Sequence, residues 1–288
     1  MFSSNLVVRI AVVLVVIPSA LAVVYLGGWA LTLSLAAFGV VGASEFYRLA
    51  EAGGVRALKV IGLVGAALPA LAAFGVSSDG PGWGPEWFVF LISLWVIGIL
   101  TIAMRTRSPD EQPLASVSVT VFGALYAGGM TAFAILLRHP EAPYTSWGAT
   151  WLVFLPLAVV WICDSLAMGF GSWIGGAKLA PVLSPNKTWA GAISGSVGGG
   201  FIVAPVYGHF ILERVGIALP VWQLIVLGLV VSSLGQVGDV AESLFKREAG
   251  VKDSGAFFPG HGGVLDRFDS IYWALPVAAI ILRLYGTI

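Results

Sequence analysis

The sequence predicts an all-helical bundle that crosses a membrane about nine times. The mean hydropathy is +0.93 over 288 residues, and only 10% of the residues are charged, against about 25% in an ordinary soluble domain. Apolar runs of roughly 20 residues, long enough to cross the hydrocarbon core, recur along the whole chain. Because backbone polar groups in lipid must be satisfied within their own segment, we expect these runs to be helices. Residues 1–288 are predicted to form a single integral membrane domain.

The predicted spans follow the apolar runs in chain order, and loops rich in glycine, proline and tryptophan separate several of them. The first run is long and lacks a clean small-residue cleavage site, so we interpret it as a membrane helix rather than a signal peptide. The single cysteine, Cys163, excludes a disulfide within the chain. The nine predicted spans are 8–25, 28–46, 57–76, 86–104, 115–137, 149–170, 190–212, 218–240 and 269–286.

The cationic residues predict the orientation of these spans. With the N-terminus in the cytoplasm, 12 of the 15 Lys and Arg residues lie on the inner side, and only Arg138, Arg214 and Arg283 lie outside. The sequence therefore predicts a multi-pass protein of the cell inner (plasma) membrane, with its N-terminus and active-site loops cytoplasmic. A formal net charge of zero and the lack of basic tracts argue against a nucleic-acid partner.

The two halves of the chain differ in where their acidic residues lie. In residues 1–148 the acids lie in loops or at span ends, whereas Asp164 and Asp239 lie within or at the inner ends of apolar runs. Intramembrane acids are costly and usually functional. We therefore interpret 1–148 as scaffold spans and 149–288 as catalytic spans and loops. The glycine-rich segment 195–200 is typical of close helix packing, either within the chain or between two copies in a homodimer.

The segment from Ser243 to Asp269 carries four cations and four anions between two apolar runs. Asp266 and Asp269 are three residues apart, so a helix that begins there places both carboxylates on one face. Two such carboxylates commonly hold Mg²⁺. The alternative is that they cap the helix and complement its positive end.

Asp239 closes the preceding apolar run and is the predicted third metal ligand. Gly235 and Gly238 allow another helix to pack closely beside it, which would bring Asp239 up against the other two acids. The alternative is a carboxylate that extends to the inner membrane interface without binding metal. The predicted metal-binding set is therefore Asp239, Asp266 and Asp269.

The loop between these acids contains groups suited to a polyphosphate. Lys246, Arg247 and Lys252 would neutralise its charge, although membrane anchoring also explains cations at this side. Glycines near the end of the loop would let backbone N–H groups approach phosphate oxygens, and His261 would donate to a phosphate or position the loop. These glycines are Gly260, Gly262 and Gly263.

A second polar segment runs from Asp164 to Gly191. Asp164 lies in an apolar stretch, where it would contact substrate, accept buried hydrogen bonds or form an ion pair. Pro181 and Pro185 impose a turn. The residues Ser184, Lys187 and Thr188 then place donors just before the next span, an arrangement typical either of a phosphate site or of an ordinary helix cap.

Together, these two segments resemble motifs of the phosphatidate cytidylyltransferase (CDP-diacylglycerol synthase) family. The pattern S-x-x-K-R-x4-K-D-x-G-x4-G-H-G-G-x-x-D-R-x-D is filled from Ser243 to Asp269, and the segment from Asp164 to Gly191 is similar to a second family motif. In that motif this chain departs from the family at three positions. It has Asn186 in place of a lysine, Ala190 in place of a glutamate, and Met168 where tyrosine is frequent.

The resemblance implies transfer of a cytidylyl group from CTP to phosphatidic acid, giving CDP-diacylglycerol and pyrophosphate. The implied cofactor is Mg²⁺, with or without a second cation, and membrane lipids are implied partners. The predicted catalytic residues are Asp239, Lys246, Arg247, Lys252, Asp253, His261, Asp266, Arg267 and Asp269. The predicted substrate-binding residues are Asp164, Ser184, Pro185, Lys187, Thr188, Gly262 and Gly263.

Two other functions fit parts of the sequence. A CTP-dependent kinase of a polyprenol or other lipid alcohol would transfer a γ-phosphoryl group and release CDP. A transporter would use Asp164 and Asp239 near the membrane midplane. The charges cluster at one predicted edge and we find no internal repeat, so an enzyme is favoured over a transporter.

Overall fold

The computed structural model describes residues 4–260 and 262–288, with side chains from residue 14 onwards. It is almost entirely helical, which confirms the predicted fold class. The helices of the N-terminal half are α1 (Ser4–Leu26), α2 (Gly28–Ala52), α3 (Lys59–Gly75), α4 (Glu86–Thr106), α5 (Pro113–Ala124) and α6 (Met130–Arg138). Those that follow are α7 (Ser146–Ile174), α8 (Trp189–Gly198), α9 (Ala204–Tyr207), α10 (Val221–Glu248), α11 (Val264–Phe268) and α12 (Ile271–Leu284).

Each of the nine predicted spans coincides with a helix, but the helices differ in length. Within the described part of the chain, six helices are long and apolar enough to cross a membrane. Two of the six contain π-helical turns. One such turn joins α5 to α6, and two others flank α9 in the segment that continues from α8 and ends in a 3₁₀ turn at Val215. The six are Gly28–Ala52, Glu86–Thr106, Pro113–Arg138, Ser146–Ile174, Trp189–Val215 and Val221–Glu248. The last predicted span is a helix of only 14 residues, shorter than the roughly 20 that a span needs.

The chain divides into two compact units, and the division does not follow sequence order. The first unit comprises 1–136 and 245–268, and the second comprises 137–244 and 269–288. The charged segment that follows α10 therefore packs with the N-terminal helices, which the sequence suggested were scaffold alone. The division of function between residues 1–148 and 149–288 stays a prediction.

In the first unit, small residues let the helices approach closely. A Cβ added at Gly39 on α2 would lie 2.9 Å from the Gly128 Cα in the π-helical turn 125–129. The Tyr47 hydroxyl donates to the Thr120 carbonyl at 2.8 Å, and the Thr120 hydroxyl accepts from the Leu58 N–H at 2.8 Å. These contacts pack α2, α3 and α5 together and fix the rotation of α2.

In the second unit, α7 and α8 are joined by a short antiparallel hairpin. Strand β1 (Lys178–Ala180) pairs with β2 (Ser184–Thr188), and the predicted turn lies between them. The two helices cross where both carry glycine: a Cβ at Gly171 would lie 3.2 Å from the Gly191 Cα. The glycines of segment 195–200 contact α7 and α10 of the same chain. Homodimer formation stays a prediction.

Candidate active site

A cluster of two carboxylates and one ammonium lies within the second unit. The Lys187 Nζ on β2 is 2.6 Å from the Asp239 Oδ2 on α10, and both side chains are about one-quarter exposed. Asp164 on α7 interacts electrostatically with both groups. The Lys187 and Asp239 side chains are therefore both within reach of a ligand. The structure brings together Asp164, Lys187 and Asp239, which the sequence predicted as parts of two separate segments.

The hairpin positions Lys187 beside this cluster. Its final residue, Thr188, is the N-cap of α8, and its hydroxyl accepts from the Gly191 N–H at 3.1 Å. Thr188 is buried, Ser184 is half-buried and Pro185 is exposed. The Thr188 hydroxyl therefore serves as an ordinary helix cap. The predicted contacts of Ser184, Pro185 and Thr188 with substrate stay predictions.

Helix α10 also packs tightly against the start of the final helical segment. A Cβ added at Gly238 would lie 2.6 Å from the Asp269 carbonyl oxygen and would overlap with the Trp273 ring. The Asp269 Oδ1 accepts from the Ser270 N–H at 2.6 Å. The sequence predicted a close approach of another helix at Gly235 and Gly238. The structure shows it at Gly238, which lies against the backbone of Asp269.

Sequence reasoning missed a polar seam between α8 and α10 in this unit. The Gln236 Nε2 donates to the Ala192 carbonyl at 3.1 Å and to the Ser196 Oγ at 3.0 Å, and the Ser233 hydroxyl donates to the same Ser196 Oγ at 3.0 Å. Gln236 lies one turn before Asp239 on α10. The seam therefore fixes the rotation of the helix that carries this carboxylate. The signal for it was a run of small polar residues within apolar segments.

A second cluster, wholly within the first unit, surrounds Asp266 on α11. Its Oδ1 accepts from the Lys246 Nζ at 2.9 Å, and its Oδ2 accepts from the Ser254 N–H and the Gly263 N–H, both at 2.8 Å, and from the Ser254 hydroxyl at 2.9 Å. Both Asp266 and Lys246 have largely buried side chains. This carboxylate therefore fixes both ends of the loop that precedes α11.

The electrostatics of Asp266 follow from these contacts. Burial raises the pKa of the carboxyl, but the hydrogen bonds from Lys246, Gly263 and Ser254, together with the Lys246 charge, outweigh it. The pKa therefore lies below its ordinary value, and Asp266 is ionised at neutral pH. Because the ionised Asp266 carboxylate accepts four hydrogen bonds, it holds Lys246, Ser254 and Gly263 in fixed positions.

Glu45 is the residue of this cluster that sequence reasoning missed. It lies on α2, which extends six residues beyond the predicted span end at 46, and its side chain is 1% exposed. The Glu45 Oε2 accepts from the Leu265 N–H at 2.9 Å, and it lies 3.2 Å from the Ser254 Oγ, whose single proton is shared with the nearer Asp266 Oδ2. The available signal was a glutamate inside an apolar helical run, which we interpreted as lying at a span end.

The glycines of the loop have little room for side chains. A Cβ at Gly263 would overlap with the Glu45 carboxylate, and one at Gly262 would lie 2.8 Å from the Asp266 Oδ2. Gly262 also has a φ of +86°, which favours glycine. The Gly263 N–H donates to Asp266, so this amide is engaged within the protein. The predicted approach of Gly262 and Gly263 to a phosphate stays a prediction.

The other predicted catalytic residues lie at the protein surface: Arg247 near the end of α10, Lys252 and Asp253 in the loop that follows, and Arg267 on α11. Arg247, Lys252, Asp253 and Arg267 are exposed, and the Arg247 guanidinium donates to the Val251 carbonyl at 3.1 Å. His261 lies outside the described residues. The exposed cations are accessible to an anionic ligand.

The predicted metal ligands fall in both units: Asp239 and Asp269 in the second, Asp266 in the first. Among the side chains that the structure describes, no group of three or more His, Cys, Asp or Glu residues is close enough together to hold a metal ion. The metal ligand set stays a prediction.

The chain is similar to known proteins over most of its length. Residues 7–285 match the cytidylyltransferase family. A phosphatidate cytidylyltransferase of Brucella abortus is 45% identical over 168 residues, which are 57% of this chain and 56% of the relative. One of Staphylococcus haemolyticus is 47% identical over 124 residues, 43% of this chain and 46% of that protein. One of Staphylococcus aureus is 35% identical over 194 residues, 67% and 69% of the two chains. The alignment thus spans about half the length of the Brucella relative.

Proposed function

Because the chain belongs to the cytidylyltransferase family, we propose that it transfers the cytidylyl group of CTP to phosphatidic acid, giving CDP-diacylglycerol and pyrophosphate. The observation that carries the proposal is the family match over residues 7–285, which includes both polar clusters. The relatives named phosphatidate cytidylyltransferase support the choice of substrates.

In the proposed reaction a phosphate oxygen of phosphatidic acid attacks the α-phosphorus of CTP. A new P–O bond forms there, the bond between the α-phosphorus and its bridging oxygen breaks, and pyrophosphate leaves with the electron pair. Both reactants are anions, so charge repulsion is the main obstacle, and cationic groups with fixed positions remove it. No protein nucleophile is required, because the lipid phosphate is itself the nucleophile.

Mg²⁺ fits the residues of the second unit. Asp164 and Asp239 interact electrostatically, and Lys187 neutralises only one of them. Mg²⁺ needs one or two protein carboxylates when substrate phosphates supply further oxygens. When bound, it would neutralise charge on the nucleotide phosphates. Asp239 and Asp269 would therefore hold the metal as the sequence predicts, and Asp164 would add a further carboxylate that interacts with Asp239.

Asp266 fits the metal less well than the sequence predicted. Four donors already occupy its two oxygens, and a metal ion would have to displace at least one of them. An ordering role for Asp266 is therefore favoured over direct ligation. Its effect on the reaction would pass through the loop whose ends it holds.

The exposed cations of the loop provide the remaining charge compensation. Arg247, Lys252 and Arg267 are accessible, and arginine grips two phosphate oxygens at once. They would offset charge on the CTP phosphates and on the departing pyrophosphate. In the second unit, Lys187 would exchange its contact with Asp239 for a phosphate oxygen when Mg²⁺ and substrate bind.

Six described helices are long and apolar enough to cross a membrane, and the relatives from Brucella and Staphylococcus are bacterial proteins. We propose the inner membrane, with the N-terminus and both charged segments on the cytoplasmic side, where CTP is available. The uneven distribution of the 15 Lys and Arg residues supports this orientation.

The decisive experiment uses the purified full-length chain in liposomes that contain phosphatidic acid. With α-labelled CTP and Mg²⁺, we expect labelled CDP-diacylglycerol and one pyrophosphate per turnover, and Asp239→Asn should abolish both. Release of CDP with phosphorylation of an added polyprenol would instead identify a lipid kinase. Solute movement across the liposome without CTP consumption would identify a transporter.

A further inference from the structure

The Glu45 carboxylate occupies an unusual place for an acid. It is 1% exposed on a helix that is otherwise apolar enough to cross a membrane. Its ion pair with Arg48 is long, with the Arg48 Nη2 3.9 Å from the Glu45 Oε1 on a side chain that is 55% exposed. Burying a carboxylate is costly unless hydrogen bonds compensate. An aliphatic side chain could be buried here without the cost of removing a carboxylate from water. We therefore relate the acid to the hydrogen bonds that it accepts.

Those partners lie in the charged segment 209 and 220 residues further along the chain. The Ser254 hydroxyl lies between two carboxylates, 3.2 Å from the Glu45 Oε2 and 2.9 Å from the Asp266 Oδ2. The Leu265 N–H donates directly to the Glu45 Oε2 at 2.9 Å. Ser254 lies at the start of the loop that precedes α11 and Leu265 lies in the first turn of α11, so Glu45 contacts both ends of segment 254–265.

The neighbouring backbone is built around the same carboxylate. A Cβ at Gly255 or at Gly263 would overlap with the Glu45 oxygens. Two turns earlier on the same face of α2, the Phe38 ring packs against Phe257 at 6.3 Å and Phe268 at 5.6 Å between centroids. Helix α2 therefore contacts this segment at two positions, through the Phe38 ring and through the Glu45 carboxylate.

Each end of the loop adjoins a cation proposed to meet the nucleotide, Lys252 at one end and Arg267 at the other. Lys252 and Asp253 directly precede Ser254, and Asp266 and Arg267 directly follow Leu265. We propose that Glu45 is a positioning residue, which fixes the two charged pairs of the loop relative to each other from a helix of the N-terminal half. This inference rests on the proposed cytidylyl transfer, and it assigns to α2 a role beyond scaffold.

The test compares Glu45→Gln, Glu45→Asp and the control Glu51→Gln. Glutamine has the size of glutamate but replaces one acceptor oxygen with a donor. Glu51 lies on the same helix, exposed, in an ion pair with Lys59. In liposomes, Glu45→Gln should lower kcat about 100-fold, since a displacement near 1 Å costs that much, with the KM for phosphatidic acid unchanged. Glu45→Asp, which keeps the charge, should recover part of kcat, and Glu51→Gln should match wild type.

Amide hydrogen exchange supplies a readout that does not depend on activity. In Glu45→Gln the amides of segment 254–265 should exchange faster, while those of α3 and α5 keep their wild-type rates. Wild-type exchange and kcat in Glu45→Gln would overturn the inference. Faster exchange throughout the first unit, together with a fall in kcat that only matches the loss of folded protein, would also overturn the inference. Glu45 would then stabilise the fold of the whole unit instead of positioning the loop. If wild type makes no CDP-diacylglycerol, the proposed function fails, and the exchange experiment still tests whether Glu45 orders the loop.

Discussion

The Lys187 ammonium lies 2.6 Å from the Asp239 carboxylate and thereby joins the hairpin before α8 to the C-terminal half of α10. These residues belong to two sequence segments that are each only moderately informative alone. Their ion pair is partly exposed, so ligands can compete for both partners. A contact of this kind suits a site that must exchange an internal partner for a substrate phosphate.

Replacing Lys187 should separate its ion pair with Asp239 from its proposed contact with a substrate phosphate. In Lys187→Met we expect the KM for CTP to rise about tenfold, the lower limit for a lost hydrogen bond to a charged group. The Mg²⁺ concentration for half-maximal activity should fall, because Asp239 loses its competing cation. The measurement is a two-way titration of CTP and Mg²⁺ in liposomes.

The matched control is Lys178→Met, on the other strand of the same hairpin, where the lysine is exposed. It should behave as wild type. If both variants show the same change, the effect comes from general surface charge and not from the pair with Asp239.

The sequence was sufficient to predict the helical bundle and most of the chemistry-bearing residues. Hydropathy fixes the position of apolar helices because each span must satisfy its own backbone. It fixes their ends less well: α2 was expected to end at 46 and continues to Ala52. Glu45 lies next to the predicted end of this span, so the sequence gives no sign that its side chain is buried among tertiary partners.

The hydrogen-bond partners of the acids could not be predicted from the sequence, because they depend on tertiary contacts. Whether Asp266 faces a metal or a ring of donors depends on contacts such as that with Lys246, 20 residues away. Neither composition nor helical periodicity encodes such tertiary contacts. The spacing of Asp266 and Asp269 suggested one shared role, whereas the structure gives the two carboxylates different surroundings.

Gly238 should be essential for the packing of α10. Gly238→Ala would press a methyl group against the Asp269 carbonyl and the Trp273 ring, so we expect a loss of about 1–3 kcal/mol from overpacking. Activity should fall further than stability, because the shift would move Asp239. Thermal unfolding in detergent and the CTP assay measure the two effects.

Gly169 provides the control, since it lies on α7 with open space where a Cβ would be. Gly169→Ala should be neutral or slightly stabilising, because alanine favours helix more than glycine. Equal destabilisation by both substitutions would show that close packing at Gly238 is not the cause.

The pair between Lys246 and Asp266 should contribute far more to stability than a surface pair. Lys246→Met leaves a largely buried carboxylate without its cation, and we expect a loss of about 3 kcal/mol. In Lys59→Met, which breaks the 2.8 Å pair with the exposed Glu51, the loss should stay below about 1 kcal/mol. Chemical unfolding of both variants in the same detergent gives the comparison, and similar losses would contradict the burial argument.

Asp266 should also make stability depend on pH at the acidic end. Its pKa is lower in the folded protein than the ordinary value, which is about 3.9 in an unfolded chain. The folded state therefore binds this proton less readily, so the stabilisation is fully present above about pH 4 and is lost as pH falls through the folded pKa. We therefore expect the unfolding temperature of wild type in detergent to drop as the pH falls below about 4. In Asp266→Asn the baseline stability should be lower and this drop shallower, because the titrating group is absent. Parallel pH profiles for the two proteins would mean that other carboxylates govern acid unfolding.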